Sequence, residues 1–259
     1  MMNAAFMGLI RKEWLISRLS FMLITLGLLS VWLISLGFTI YHGQPGIGLV
    51  VTTMILGGHI FYIAIFLLSG LIMEGKTQLW LHSPQSAYKI LLGKIVTGVY
   101  MHLASFSIFI LATIVLFEAF PTLEDFNYLS LFVSGGFGIT AIGIELGLYL
   151  LFYWAFYHAT GTHPVLGKYK ALITLSFAFL LHSLLAYLGD TSVVNFISGL
   201  WPLPFENIVG LYFEIANGGG TINPDSIPLT IGYLLLYLFR ISIWFLISVW
   251  LLEKVVEVK

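Results

Sequence analysis

The sequence predicts an all-α polytopic membrane protein, and three observations carry that expectation. Hydrophobic residues make up 59% of the 259 and charged residues 9%, too few charges to cover a core of that size with a water-facing surface. Apolar blocks recur from end to end, with a mean hydropathy of +0.99, so the character is not that of one anchor on a soluble domain. The basic residues fall almost wholly in alternate connections between those blocks, which is the signature of a chain threaded through a bilayer.

A hydrocarbon core about 30 Å thick needs roughly 20 apolar residues in a helix, because no lipid-facing backbone group can be left unpaired. Before the first such block, Phe6, Ile10 and Trp14 recur at four-residue spacing with Arg11 and Arg18 on another face, which predicts an amphipathic interfacial helix over residues 3–18. Six spans follow, at about 21–40, 49–73, 93–117, 129–157, 171–188 and 229–252. The first is too long for a signal peptide and lacks a small-x-small cleavage site, so it is read as retained. Between spans five and six, residues 189–228 contain Trp201-Pro202-Leu203-Pro204 and Asn217-Gly218-Gly219-Gly220. That punctuation predicts short helices or a hairpin joined by turns. The whole of 1–259 is read as a single transmembrane domain.

Orientation follows from the charges. Arg11, Lys12 and Arg18 precede span one, Lys76, Lys89 and Lys94 lie between or beside spans two and three, Lys168 and Lys170 join four to five, and Lys254 and Lys259 follow six. The other connections carry Glu118, Glu124, Asp125, Asp190, Glu206, Glu214 and Asp225 and no Lys or Arg. Both termini are therefore expected in the cytoplasm, in a multi-pass protein of the cell membrane. The net charge of −1 gives no reason to expect a nucleic-acid partner. The absence of cysteine excludes disulfides, thiolate metal sites and cysteine nucleophiles.

Gly70 to Thr77 satisfies G-x-x-x-x-G-K-[ST], but a phosphate-binding loop needs a strand before it in an α/β sheet. A membrane span leads into this one, so ATP binding here is rejected. More informative is the whole connection: Glu74-Gly75-Lys76-Thr77-Gln78-Leu79-Trp80-Leu81-His82-Ser83-Pro84-Gln85-Ser86, then Ile90-Leu91-Leu92-Gly93-Lys94. It places Leu79, Trp80 and Leu81 at an aqueous face, where they need cover from a partner or the membrane interface, and Pro84 can end a short helix there.

This segment resembles the one after the second span in ABC-2 type permeases. Glu74, Thr77, Gln78, Leu79, Leu81, Pro84, Ser86, Gly93 and Lys94 match the family's pattern; the inserted Lys76 and the aromatic Trp80 depart from it. The resemblance implies a cytoplasmic coupling segment, 74–92, docking into a groove of a separate ATPase, with Glu74, Thr77, Gln78, Leu79, Trp80, Leu81, Pro84 and Ser86 as the coupling residues. It further implies a non-enzymatic transport subunit in an ATP-driven exporter, with no cofactor in this chain and with ATP and Mg²⁺ on two ABC ATPase subunits. A second permease copy, or a similar permease, would complete the pathway. Size and short outer loops are similar to permeases of the phenol-soluble modulin and peptide-toxin exporters, so the expected cargo is amphipathic or antimicrobial peptides.

Inside the spans, His59, His102, Glu145, His182 and Arg240 are expensive in hydrocarbon and should face partners, the bundle interior or water. Glu145 is expected to pair with Arg240, His102 or His182. Span four also carries Gly135, Gly136, Gly138, Gly143 and Gly147, small residues that let helices approach closely. Two other functions use the same polar residues: a proton-coupled secondary transporter, with a relay through them, and an intramembrane metallohydrolase with Glu145 and three histidines at zinc. The second lacks His-Glu-x-x-His, and its four residues sit on four spans, so no metal ligand is assigned.

Overall fold

The computed structural model describes residues 4–77, 85–120, 128–202, 208–209, 212–216, 219–223, 226–227 and 230–256. It is an all-α polytopic membrane protein. Among the described residues, six helical stretches are long and apolar enough to cross a bilayer: Ala5–His42, Pro45–Glu74, Ala87–Ala119, Gly135–Gly161, Leu166–Gly189 and Ile231–Val255. Each contains or overlaps one of the six expected spans and most are longer, because helices run past the hydrocarbon into the interface.

The first helix, α1 (Ala4–His42), runs unbroken for 39 residues. The interfacial helix expected over 3–18 is thus not a separate element. Leu19 and Ser20 offer no Gly or Pro to stop propagation, so leader and span form one rod. The leader's apolar stripe is also used within the protein. Gly93 lies under Leu9 and Phe6, where a Cβ would stand 3.5 Å from the Leu9 Cβ, and Trp14 packs edge-on to Tyr100 at 5.7 Å.

Span two consists of α2 (Pro45–Gly58), a 3₁₀ turn at His59–Phe61 and α3 (Tyr62–Thr77). Pro45 occupies the first turn of α2, where its missing N–H costs nothing. Next come α4 (Ala87–Ala119) and α5 (Tyr128–Gly161). After a 3₁₀ turn at Leu166–Tyr169, α6 (Lys170–Gly189) and the short α7 (Ser192–Ser198) follow, and α8 (Ile231–Leu251) ends in a π turn over Leu252–Val256.

Between α6 and α8 the chain makes the one short helix α7 and then an antiparallel ribbon. Pro202 bridges Thr230, β1 (Ile208–Val209) pairs with β4 (Ser226–Ile227), and β2 (Tyr212–Ala216) pairs with β3 (Gly219–Asn223) in the register Tyr212↔Asn223 to Ala216↔Gly219. The pairings nest inside one another, as in one long hairpin. Tyr212, Phe213, Ile215, Thr221 and Ile222 favour strands, and consecutive glycines disfavour a helix.

Two compact units make up the chain: Met1–Glu74 with Lys89–Gly147, and Gly75–Tyr88 with Leu148–Lys259. In the first, Trp32, Ile55, Phe109, Ala112 and Leu116 form a core cluster, and the Trp32 Nε1–H donates to Thr52 Oγ1 at 3.1 Å. Small residues set the helix approach: a Cβ on Gly48 would fall 2.8 Å from Leu116 Cδ1, and one on Gly98 2.8 Å from Phe66. Of the α5 glycines, Gly136 faces Phe106, Gly143 faces the Ile60 carbonyl and Gly147 faces Ile63 and Leu67, whereas Gly135 and Gly138 face open space.

The second unit is held by aromatics. Phe152 lies 5.0 Å from Trp244, Phe156 stacks on Phe177 at 4.7 Å, and Tyr88 meets Phe245 at 5.3 Å. Thr230 caps α8 by accepting from the Tyr233 N–H at 2.9 Å while its hydroxyl donates to the Ser198 carbonyl. Only a glycine fits at 232, because a Cβ there would collide with the Ile197 carbonyl.

Candidate functional site

The expected coupling segment starts and ends on a buried cluster of four charges. The α1 helix supplies Lys12 and Glu13, α3 ends near Glu74, and α4 supplies Lys94 from its second turn. Lys94 Nζ lies 2.8 Å from Glu13 Oε2 and 3.0 Å from Glu74 Oε2. Lys12 Nζ lies 2.6 Å from Glu74 Oε1 and 3.6 Å from Glu13 Oε1. Lys94 is 1% exposed and both glutamates 3%, while the Lys12 side chain is 38% exposed at the rim.

Two cations and two anions sum to zero, which makes burial tolerable; any one of them alone in this environment would cost several kcal/mol. Adjacent residues on a helix point about 100° apart, so Glu13 turns into the bundle while Lys12 reaches in from the edge. Two glycines make room. Gly93 admits α1 against α4, and Gly70 lies where a Cβ would be 3.4 Å from Lys94 Nζ.

Glu74, Gly93 and Lys94 of the resemblance therefore act together. Glu74 is engaged inside the bundle, so it positions the start of the segment that follows. The backbone of Thr77 closes α3, and Ser86 is exposed just before α4. Gln78, Leu79, Trp80, Leu81 and Pro84 lie outside the described residues.

Deeper in the first unit, two sets of hydrogen bonds join α1 and the 3₁₀ turn to α4, and α4 to α5. His59 Nδ1 lies 2.7 Å from the Ile55 carbonyl and Nε2 3.1 Å from Ser105 Oγ. A carbonyl only accepts, so a neutral His59 carries its proton on Nδ1 and accepts from Ser105 at Nε2. Ser105 in turn accepts from Thr25 at 3.4 Å. His102 Nε2 lies 3.1 Å from Thr140 Oγ1; the Thr140 hydroxyl donates to the Gly136 carbonyl at 2.8 Å, so His102 is the donor of that pair. The two imidazoles are 5.8 Å apart, ring to ring.

The remaining polar residues expected inside the spans are placed as follows. His182 belongs to the second unit, where its Nδ1 lies 2.9 Å from the Tyr153 hydroxyl and 3.0 Å from the Ala178 carbonyl. Glu145 is half-buried on α5 in the first unit, and Arg240 half-buried on α8 in the second. Among the described residues no three His, Asp or Glu side chains converge as metal ligands.

Sequence reasoning missed Glu13 and the hydroxyls of Thr25, Ser105 and Thr140. For Glu13 a signal existed: a lone carboxylate beside Lys12 in an otherwise apolar stripe. The hydroxyls gave none, since Ser and Thr are common in membrane helices and bond their own backbone as readily as a neighbour. No family model, curated protein or solved structure matches the chain.

Proposed function

We propose that this chain is the membrane-spanning permease subunit of an ATP-driven ABC exporter, with both termini and the 74–92 segment on the cytoplasmic side of the cell membrane. One observation carries the reading. The segment that resembles the coupling element of ABC-2 permeases leaves from Glu74 and returns to Lys94, and those two residues are ion-paired 3.0 Å apart inside the bundle. A push on the segment would thus reach α1, α3 and α4 together through a rigid charged joint, which is what conversion of a partner's motion into altered access requires. Lys76 and Trp80, where the chain departs from the family's pattern, would modify the docking contact rather than the joint.

In this reading ATP and Mg²⁺ bind two partner ATPase subunits, and a second copy of the chain or a similar permease completes the pathway. Amphipathic peptides are the first cargo to test, and the acidic, Lys-free and Arg-free outer connections favour release of cationic ones.

The test is purification of the tagged chain from its native membranes in mild detergent. A co-purifying ATPase whose turnover is stimulated in the complex is expected, and Leu79→Ala with Leu81→Ala should abolish the stimulation. Full transport by the chain alone in ATP-free vesicles would refute the proposal.

A further inference from the structure

The first unit carries a lateral groove of about 620 Å³ between α1 on one side and α2 and α3 on the other. It runs beside α1 from Ile16 to Val31, about 22 Å at 1.5 Å per residue. Its far wall ends at Met73, next to Glu74. The groove is open along one side: Ile24, Val31, Met54 and Ile65, all in its lining, are 47%, 51%, 72% and 58% exposed.

Its chemistry changes along its length. Toward the Met73 end the lining includes the hydroxyl residues Ser17, Ser20 and Ser69. Farther in it is aliphatic, with His59 and Tyr62 at the floor, and no Asp, Glu, Lys or Arg lines it anywhere. Around the hydroxyl end α1 carries Arg11 and Arg18, both exposed, and the partly exposed Lys12.

From this gradient we infer that the groove holds one acyl chain of an anionic glycerophospholipid from the leaflet at the Lys12 end. The serine hydroxyls meet the depth of the ester and glycerol oxygens, the aliphatic part takes the tail, and the exposed Arg11 and Arg18 stand at headgroup depth on the same helix. A polar competitor fits less well. A charged or hydrogen-bonding solute would find no fixed charge in the lining. The inference rests on the chain being a membrane protein and is independent of the exporter reading.

A glycine supplies the test. Gly58 lines the groove, and a Cβ there meets nothing within 4 Å, so Gly58→Leu projects into the groove without striking the backbone. Gly57 is equally open but outside the lining, at the same depth, and Gly57→Leu is the matched control. Purified chain is reconstituted in phosphatidylcholine nanodiscs doped with phosphatidylglycerol bearing a diazirine in mid-chain, photolysed and mapped by peptide mass spectrometry.

Labelling is expected to concentrate on the peptides holding Ile24, Leu28 and Met54, several-fold above the exposed Leu175 and Phe179 of α6. It should fall several-fold in Gly58→Leu and be unchanged in Gly57→Leu. Met54→Trp, filling the groove one turn away on the same wall, gives the same answer should Gly58→Leu fail to assemble. Labelling no denser than on α6, or equal in the filled and control variants, overturns the inference. So does labelling that an added amphipathic cationic peptide displaces, which would make the groove a cargo site.

Discussion

Replacing Lys94 with methionine tests the charged joint most directly. Methionine keeps the length and the apolar stem but removes the ammonium that lies 2.8 Å from Glu13 and 3.0 Å from Glu74. Glu74 retains Lys12 at 2.6 Å, but Glu13 is left with that same lysine at 3.6 Å. Breaking a buried pair from one side costs about 3–5 kcal/mol, since an uncompensated charge stays behind. At roughly 2–4 °C per kcal/mol for a chain of this size, the expected fall in apparent melting temperature is on the order of 10 °C.

Lys12→Met removes a partner that is 38% exposed and should cost no more than about 1 kcal/mol. Adding Glu13→Gln to Lys94→Met leaves one neutral pair, Lys12 with Glu74, and should recover about half of the loss, a coupling that only neighbours in one network show. The assay is thermal unfolding in detergent by tryptophan fluorescence, with all variants scanned at one rate because membrane proteins commonly unfold irreversibly. Equal losses for Lys94→Met and Lys12→Met, or simple additivity in the double variant, would refute the geometry.

Further tests address other parts of the molecule. Gly147→Leu must displace Leu67 and Ile63, which lie 3.0 and 3.2 Å from the position of its Cβ, and should destabilise by about 1–3 kcal/mol; Gly138→Ala, facing open space, should be neutral in the same unfolding assay. His59→Leu loses the bonds to Ile55 and Ser105 and should cost about 1–2 kcal/mol, with His59→Gln recovering part of it; equal stability of Leu and Gln variants would count against the bonded imidazole. Because the chain has no cysteine, Trp80→Cys gives a single thiol, expected to react with an impermeant maleimide only after the cells are opened. If Glu145→Gln and Arg240→Gln each leave assembly and transport unchanged, neither residue has a structural or transport role.

How legible these features were depended on how local their causes are. The six spans could be read because the bilayer imposes one requirement, a long apolar helix, that each segment meets alone. The unbroken α1 was misjudged because the sequence shows a change of polarity near Arg18, and polarity sets where a helix sits rather than whether it continues. The ribbon was half visible: proline and glycine punctuation in 189–228 allowed a hairpin as well as short helices, but pairing of Pro202 with Thr230 is a long-range event. Least legible was the charged joint. Lys94 reaches Glu13 across 81 positions, and in the sequence Lys12 and Lys94 serve equally well as topology markers. Glu74 and Lys94 drew notice as the edges of a loop motif, and their direct contact follows only from folding.

The unbroken run of α1 has a mechanical consequence. At 1.5 Å per residue, 39 residues make a rod of roughly 58 Å, nearly twice the hydrocarbon thickness of about 30 Å. Glu13 fixes it off-centre, about 14 Å from Ala4 and 44 Å from His42. A rigid tilt of α1 about that point would move the His42 end three times as far as the Ala4 end, and would have to carry Trp32 and its bond to Thr52 along.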